Sequence, residues 1–398
     1  MTERTDGLPL IISADDHVVE PPHLWIDRLP AKYRDVGPRV VRERGAVKLH
    51  DGDFQYDASD DGEPVDTWYF EDLRIPSTLP GAAVGYSLDD MEMKVMTFDE
   101  MRPGCHDPAK RLEDMDVAGI DMSLCFPNLF VRFCGQRFLF AKDRDLALLC
   151  VRAYNDFIVD EWCSGSNGRL LPLGIIPLDD SKLAAAEVRR MAAKGMRAFC
   201  FSELPPFLGL PSIHTDYWDP FFQACVETNS TIMLHIGSSS RLPVTSADAP
   251  NAVVNTLPAL NSAMSMVDWL FSGVLIRFPT LRIGFAESQI GWIPYILQRA
   301  DQVWEHNRGW NGVRDKIPNP PSSYYPGRVF CTFFDDDFGL RNLDAIGVDN
   351  VIFETDYPHS DSNWPDSLEV VRKATAHLDA ETTHKIVRGN ALKMLGMD

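Results

Sequence analysis

Eight short apolar runs punctuate this chain: Leu10 to Ala14, Ile120 to Phe126, Leu170 to Ile176, Met196 to Ser202, Thr231 to Ile236, Leu281 to Ala286, Arg328 to Phe334 and Asn350 to Glu354. They are apolar almost throughout rather than at alternate positions, which marks strands covered on both faces. Helix-compatible segments at 145–162, 181–194, 220–227, 290–306 and 366–378 lie between or after them. Strand, helix, strand alternation pairs its strands in parallel through right-handed crossovers. Eight such strands predict a (β/α)8 TIM barrel, with an open doubly wound sheet as the second choice. At 398 residues, one barrel spanning 1–398 accounts for the chain without a second domain.

The interval 26–110 breaks the rhythm. It contains an alternating stretch from Arg39 to His50, an acidic turn at Asp60-Asp61-Gly62 and the aromatic pair Trp68-Tyr69. A structureless loop of that length would count against the barrel, so the interval reads as an insertion after the first strand, part small hairpin and part irregular lid. A second long connection, Ser238 to Met264, follows the fifth run. Loops at that end of a barrel shape the substrate pocket.

Three of the runs end in Asp or His: Asp15 and His17 after the first, His235 after the fifth and Asp356 after the eighth. Residues i and i+2 of an extended strand point the same way, so Asp15 and His17 can converge on one ion. Taken singly, each has a plainer reading: a cap beside a satisfied His, a core His bonded to a carbonyl, and an N-cap for Asp356. Together they suit zinc first, with manganese or iron also compatible, as one or two divalent ions. A bound ion would acidify water and polarise a substrate oxygen.

Composition bounds the partners. A formal charge of -20 with no basic stripe speaks against nucleic acid and anionic membrane surfaces. The eight Cys show no CxxC spacing, which predicts free thiols in a reducing compartment. No run approaches the ~18 apolar residues of a membrane span, and the first seven residues lack an apolar signal core, so a cytoplasmic protein is expected.

Several motifs together resemble a known family. They are Asp-x-His-x-x-Glu-Pro-Pro-x-Leu-Trp (15–25), Arg-Leu-x-x-Met-Asp-x-x-Gly-Ile (111–120), Leu-His-Ile-Gly (234–237), Arg-Phe-Pro-x-Leu-Arg-Ile followed by Glu-Ser-x-x-Gly-Trp-x-Pro (277–294), Asp-Tyr-Pro-His (356–359) and Gly-Asn-Ala (389–391). This set is similar to the amidohydrolase-related metalloenzymes, the branch of the amidohydrolase superfamily that includes aminocarboxymuconate semialdehyde decarboxylase and resorcylate-type decarboxylases. The resemblance spans nearly the whole chain in the same order. It implies a barrel with a metal at the C-terminal strand ends, held here by Asp15, His17, His235 and Asp356. Two positions depart from the pattern. The usual first His of His-x-His is Asp15, and the catalytic His that the decarboxylases carry after the sixth strand is Glu287.

Glu203, at the end of the fourth run, falls where dinuclear members of the superfamily carry a bridging carboxylated Lys or Glu. With Glu287 and His359 it would supply donors for two ions. Equally, Glu203 caps the loop through Pro205-Pro206 and Glu287 orients His235 from behind.

The resulting expectation is a metal-dependent hydrolase of a small organic acid, amide or ester. In it the ion activates water, Asp356 accepts the proton and Glu287 or His359 protonates the leaving group. Non-oxidative decarboxylation, a dinuclear iron or manganese oxygenase, and an inactive metal-binding subunit of a paralogue are the alternatives. Arg241 and His214, on loops beyond metal-bearing strands, are candidates for contact with an anionic substrate, and Trp68 for an aromatic pocket wall. A homodimer, or a hetero-oligomer with a paralogue, is the expected assembly.

Overall fold

The computed structural model describes residues 7–51, 53–128, 130–313 and 315–398. The chain enters through β1 (Ile11–Val18) and then departs from the barrel to build β2 (Arg39–His50), β3 (Asp53–Ala58), β4 (Glu63–Phe70) and β5 (Leu73–Pro76). It returns as β6 (Ile120–Pro127), β7 (Leu170–Gly174), β8 (Ala198–Phe201), β9 (Thr231–His235), β10 (Arg282–Ala286), β11 (Val329–Phe333) and β12 (Val351–Phe353). One eight-stranded sheet runs β1-β6-β7-β8-β9-β10-β11-β12, and each neighbouring pair in that order is parallel. This is the (β/α)8 barrel expected from the eight apolar runs. Its short strands β9, β11 and β12 are buried at every position, as continuous apolar runs require.

The seam between the first and last strands is closed at its C-terminal end. There Asp356 N donates to the Asp15 carbonyl (3.0 Å) and His17 N donates to the Tyr357 carbonyl (2.5 Å). Asp15, His17 and Asp356 therefore sit on the seam, while His235 is carried by β9 on the other side of the barrel. Helices Arg144–Phe157, Ser181–Ala192, Asp219–Glu227, Ala259–Ser272 and Ile293–Asn307 fill the crossovers. Asp143 and Asp180 each cap the following helix, accepting from backbone N–H groups of its first turn. No described helix is long and apolar enough to cross a membrane. All eight Cys are free, and seven of them are buried.

Two features differ from the sequence-based expectation. β1 does not stop before Asp15; it runs on through Val18, with Asp16, His17 and Val18 paired to Cys125, Phe126 and Pro127 across a register shift after Ser13. The shift inserts one residue into β1 and re-aims the side chains beyond it. The insertion also holds more order than a hairpin: it is a four-stranded antiparallel sheet, β3-β2-β4-β5. The two extra strands arise from pairing with β2 on its second edge, from Arg39 against Tyr69 to Gly45 against Glu63, which a local alternation pattern does not reveal.

Aromatic packing fixes this sheet to the barrel. Trp25, fully buried, meets Trp68 of β4 edge to face at 5.1 Å and Phe130 at 5.0 Å, and its indole N–H donates to the Cys150 carbonyl. Phe130 stacks on Trp68 at 4.6 Å. Beyond β5, Ala83 N donates to the Pro358 carbonyl (2.7 Å) and Ser360 N to the Pro80 carbonyl (3.1 Å), so the insertion grips the segment after Asp356. Trp25→Ala is expected to cost about 3–5 kcal/mol in urea unfolding and to expose residues 39–76 to limited proteolysis before the barrel is cut.

Candidate metal centre and active site

Asp15 and His17 lie on the same side of β1, and β9 and the turn after β12 bring His235 and Asp356 to them. His17 Nε2 is 3.4 Å from both Asp15 Oδ1 and Asp356 Oδ1. His235 Nε2 is 3.2 Å from Asp15 Oδ2 and 3.4 Å from Glu287 Oε2. His359 Nδ1 lies 2.9 Å from Asp356 Oδ1, its ring stacked on His17 at 3.9 Å. Among the described residues, two triads have metal-holding geometry, Asp15/His17/His235 and His17/Asp356/His359.

The hydrogen bonds behind the two imidazoles test whether an ion fits. His17 Nδ1 faces the Pro127 carbonyl at 2.9 Å and His235 Nδ1 faces the Ile236 carbonyl at 2.6 Å. A carbonyl has no proton to give, so each Nδ1 carries the hydrogen and each neutral ring turns an Nε2 lone pair inward. Those two Nε2 atoms are 3.2 Å apart, a repulsive contact unless a cation lies within reach of both. Both carboxylate oxygens of Asp15 and of Asp356 are buried without a directed hydrogen bond. This donor set suits a divalent ion.

The titration behaviour agrees. Burial lowers His17 to about 3 and His235 to about 4, so both imidazoles are neutral near pH 7, as ligation demands. Burial, reinforced by Asp356 and Asp16, pushes Asp15 well above the carboxylate range. Glu287 is pushed well up by burial and by the charges of Asp356, Asp15 and Glu354. Burial acts on Asp356 in the same sense, but the imidazoles of His359 and His17 outweigh it and hold that carboxyl below its ordinary range.

Beside the cluster opens a cavity of about 170 Å³, and Glu287, Asp356 and His359 form part of its wall. Phe133 covers one side and stacks on His235 at 3.9 Å. Leu242 and Pro258, from the long connection after β9, cover another, as the position of that connection leads one to expect.

The other candidates are placed differently. Glu203 belongs to neither triad. Its Oε1 accepts from Gly237 N (3.0 Å), Ser239 N (3.4 Å), Ser239 Oγ (2.8 Å) and Asn261 Nδ2 (3.1 Å), so it braces the loop after His235. Arg241 is exposed with its guanidinium over the Phe207 ring, and His214 pairs with Asp268 at 2.8 Å. Trp68, on β4 of the insertion, packs against Trp25 and Phe130. None of these three is among the residues lining the cavity beside the cluster.

Sequence reasoning passed over Asp16, Glu354 and Arg132. Glu354 Oε2 accepts from Glu287 N (3.3 Å), and Arg132 lines the cavity. Asp16 and Glu354 lie within two residues of the candidate ligands, and that adjacency was the available signal. Nothing local marks Arg132.

Burial raises Glu203 from 4.5 to about 7, so the folded metal-free protein holds a proton there that the unfolded chain releases from about pH 4.5 upward. That contribution to stability is complete below pH 4.5 and is lost as pH rises through 7, a change of ~3 kcal/mol at most. Urea midpoints of the metal-free protein at pH 5 and pH 8 should show Glu203→Gln gaining on the wild type at the higher pH.

Comparison with known proteins places this architecture. The family model described as Amidohydrolase matches residues 23–397. An amidohydrolase of Mycobacterium avium subsp. paratuberculosis K-10 superposes with a TM-score of 0.74 at 20% identity, over 97% of this chain and 99% of that one. The 5-carboxyvanillate decarboxylase of Sphingomonas paucimobilis gives 0.65 at 20% identity, covering 98% and 99%. The 2,6-dihydroxybenzoate decarboxylase of Rhizobium gives 0.61 at 17% identity, again covering 98% and 99%. A family match over almost the full length, on a barrel with metal-competent side chains at its C-terminal strand ends, means that this chain belongs to the amidohydrolase family.

Proposed function

We propose that this protein is a divalent-metal-dependent enzyme that removes carbon dioxide from a small carboxylic acid without oxidation. The observation that carries the reading is the place of Glu287: a carboxyl in the cavity wall, 3.4 Å from His235 at the edge of the ligand cluster, where a group that hands a proton to substrate has to stand. The fold similarity to two decarboxylases supports it.

Asp15, His17, His235 and Asp356 would hold the ion, which when bound supplies Lewis acidity and a fixed positive charge. Manganese is a reasonable occupant, since a dihydroxybenzoic acid decarboxylase of the same fold was crystallised with it. Burial and the charges of Asp356, Asp15 and Glu354 push the Glu287 carboxyl toward its protonated form. As the carbon–carbon bond to the carboxylate breaks, the electron pair stays on the substrate carbon, which takes the proton from Glu287; carbon dioxide departs and water reprotonates the carboxyl. Phe133, Leu242 and Pro258 exclude water from the carbon that carries the developing charge.

Hydrolysis by the same cluster would use the ion to activate water. That reaction would ask Asp356, itself a candidate ligand, to serve also as the base. A dinuclear oxygen-using enzyme is the second reading, favoured by the two triads that share His17.

Elemental analysis and a carbon dioxide release assay on hydroxylated aromatic acids separate these readings. About one ion per chain, activity abolished by chelation and restored by manganese or zinc, and a fall of about 10²–10⁴-fold in kcat for Glu287→Gln with metal content unchanged are the expected outcomes. About two ions per chain with oxygen consumed and no carbon dioxide released would replace the decarboxylase with the oxygenase.

A further inference from the structure

Two apolar wall residues of the cavity, Leu242 and Pro258, lie near opposite ends of the connection after β9. Little apolar packing holds the chain between them. From Leu242 to Val253 every residue is exposed or half-buried, and Val254 is the first to be buried. A surface segment with so few apolar contacts opens locally unless polar contacts hold its ends.

Asn261 supplies those contacts. It stands in the first turn of the helix Ala259–Ser272 and is buried. Its Nδ2 donates to the Arg241 carbonyl (2.7 Å) and to Glu203 Oε1 (3.1 Å). The first contact joins residues 20 positions apart, so one amide closes the neck of the loop that carries Leu242 and Pro258. The second ties that neck to the segment just beyond β8, where Glu203 also accepts from Gly237 and Ser239 and its own N–H donates to Ser238 Oγ (2.9 Å). Both partners of the amide are acceptors. The bridging group therefore has to be a double donor, which an NH2 is and a carboxylate of the same shape is not.

The turn held in this way touches two walls of the cavity. Gln136 Nε2 donates to the Gly237 carbonyl (3.2 Å) and Cys134 Sγ to the Ser238 carbonyl (3.5 Å). A Cβ at Gly237 would stand 3.1 Å from the Phe133 ring and 3.9 Å from Leu242. A shift of the neck is thus a shift of the wall.

We propose that Asn261 is a positioning residue for the reaction: by closing this neck it holds Leu242 and Pro258 over the cavity and keeps water from the bound acid. This rests on the reading of the cavity as the place where a small carboxylic acid binds and loses carbon dioxide.

Hydrogen exchange of the manganese-loaded full chain, with metal content and calorimetric titration of benzoate measured alongside, tests the assignment. In Asn261→Asp, peptides within 238–258 should exchange about tenfold or more faster than in the wild type, the scale of one hydrogen bond to a buried carboxyl group, while the barrel strands exchange as before. Benzoate should bind about tenfold more weakly, with manganese content unchanged. Ser239→Ala removes one donor to Glu203 and leaves Asn261 in place; it should move both readings the same way by about threefold, and it decides alone if Asn261→Asp does not fold. Faster exchange spread over the whole barrel with benzoate affinity unchanged would mean a merely structural role and overturn the proposal. So would unchanged exchange in 238–258, or a wild type that binds no benzoate. Should exchange and affinity move as stated while the wild type releases carbon dioxide from no acid, the positioning role stands and the decarboxylase falls; carbon dioxide release with neither reading moved in the variants means the reverse.

Discussion

The carboxylate of Asp16 ties the barrel seam together, and the positions of Asp15, His17 and Asp356 depend on it. Its Oδ1 accepts from Ser13 Oγ (3.0 Å), Tyr357 N (3.1 Å) and Thr355 Oγ1, and its Oδ2 accepts from Ser123 Oγ. One side chain thus joins the first strand, its neighbour and the turn that leaves the last strand. Burial raises the Asp16 pKa, and the Arg111 charge together with these hydrogen bonds opposes it. Arg111, itself buried, donates to the His17 and Gly104 carbonyls and lies 4.0 Å over the Tyr357 ring. Because a strand alternates its side chains, anchoring Asp16 on one side aims Asp15 and His17 to the other. Breaking one partner of such a network leaves the rest buried and unpaired, which costs far more than a surface hydrogen bond.

The cluster on that other side gathers more carboxyl groups than it has cations to pair with them. Four carboxyl groups, Asp15, Glu287, Glu354 and Asp356, share the space with His17, His235 and His359, and Asp15, Glu287 and Glu354 are each driven toward the protonated form by burial and by neighbouring carboxylates, with Asp356 acting on all three. Two like charges about 4 Å apart repel by roughly 4 kcal/mol at the effective dielectric of a partly wet site. A divalent ion reverses that sign for the ligands it touches while leaving a more distant carboxyl protonated. With an ion bound, the cluster would separate into acids that touch it and an acid that keeps a proton, and Glu287, 3.4 Å from His235, lies on the boundary between the two roles.

The barrel was legible because buried parallel strands have to be apolar along their whole length, and all eight runs became strands within a few residues of their expected bounds. Asp15, His17, His235 and Asp356 were legible because a polar residue at the end of such a run has few reasons to be there, and the structure brings them together. The insertion was only half legible: the alternation of β2 shows in its own residues, but its pairing with β4 depends on residues some twenty positions away. Arg132 left no trace, because its place in the cavity wall comes from a turn braced by Glu20, whose carboxylate lies more than a hundred positions earlier in the chain. Arg241 and His214 lie on loops that follow strand ends, but Phe207 and Asp268 engage their side chains and neither lines the cavity beside the cluster.

Backbone conformation explains how two of the acids come to face the cavity. Glu287 follows the end of β10 directly and Asp356 lies three residues beyond β12, and both occupy the left-handed region, at φ 52° and 53°. For residues with a Cβ this costs of order 1–3 kcal/mol each. The cost is offset locally, since Glu287 N donates to Glu354 Oε2 and Asp356 N donates to the Asp15 carbonyl. An extended residue would continue the strand and carry its carboxylate along the barrel wall; the left-handed turn lets both acids line the cavity instead. Strain at these two positions is thus coupled to the hydrogen bonds that close the seam, so the same contacts that hold the barrel shut also orient the acid beside His235.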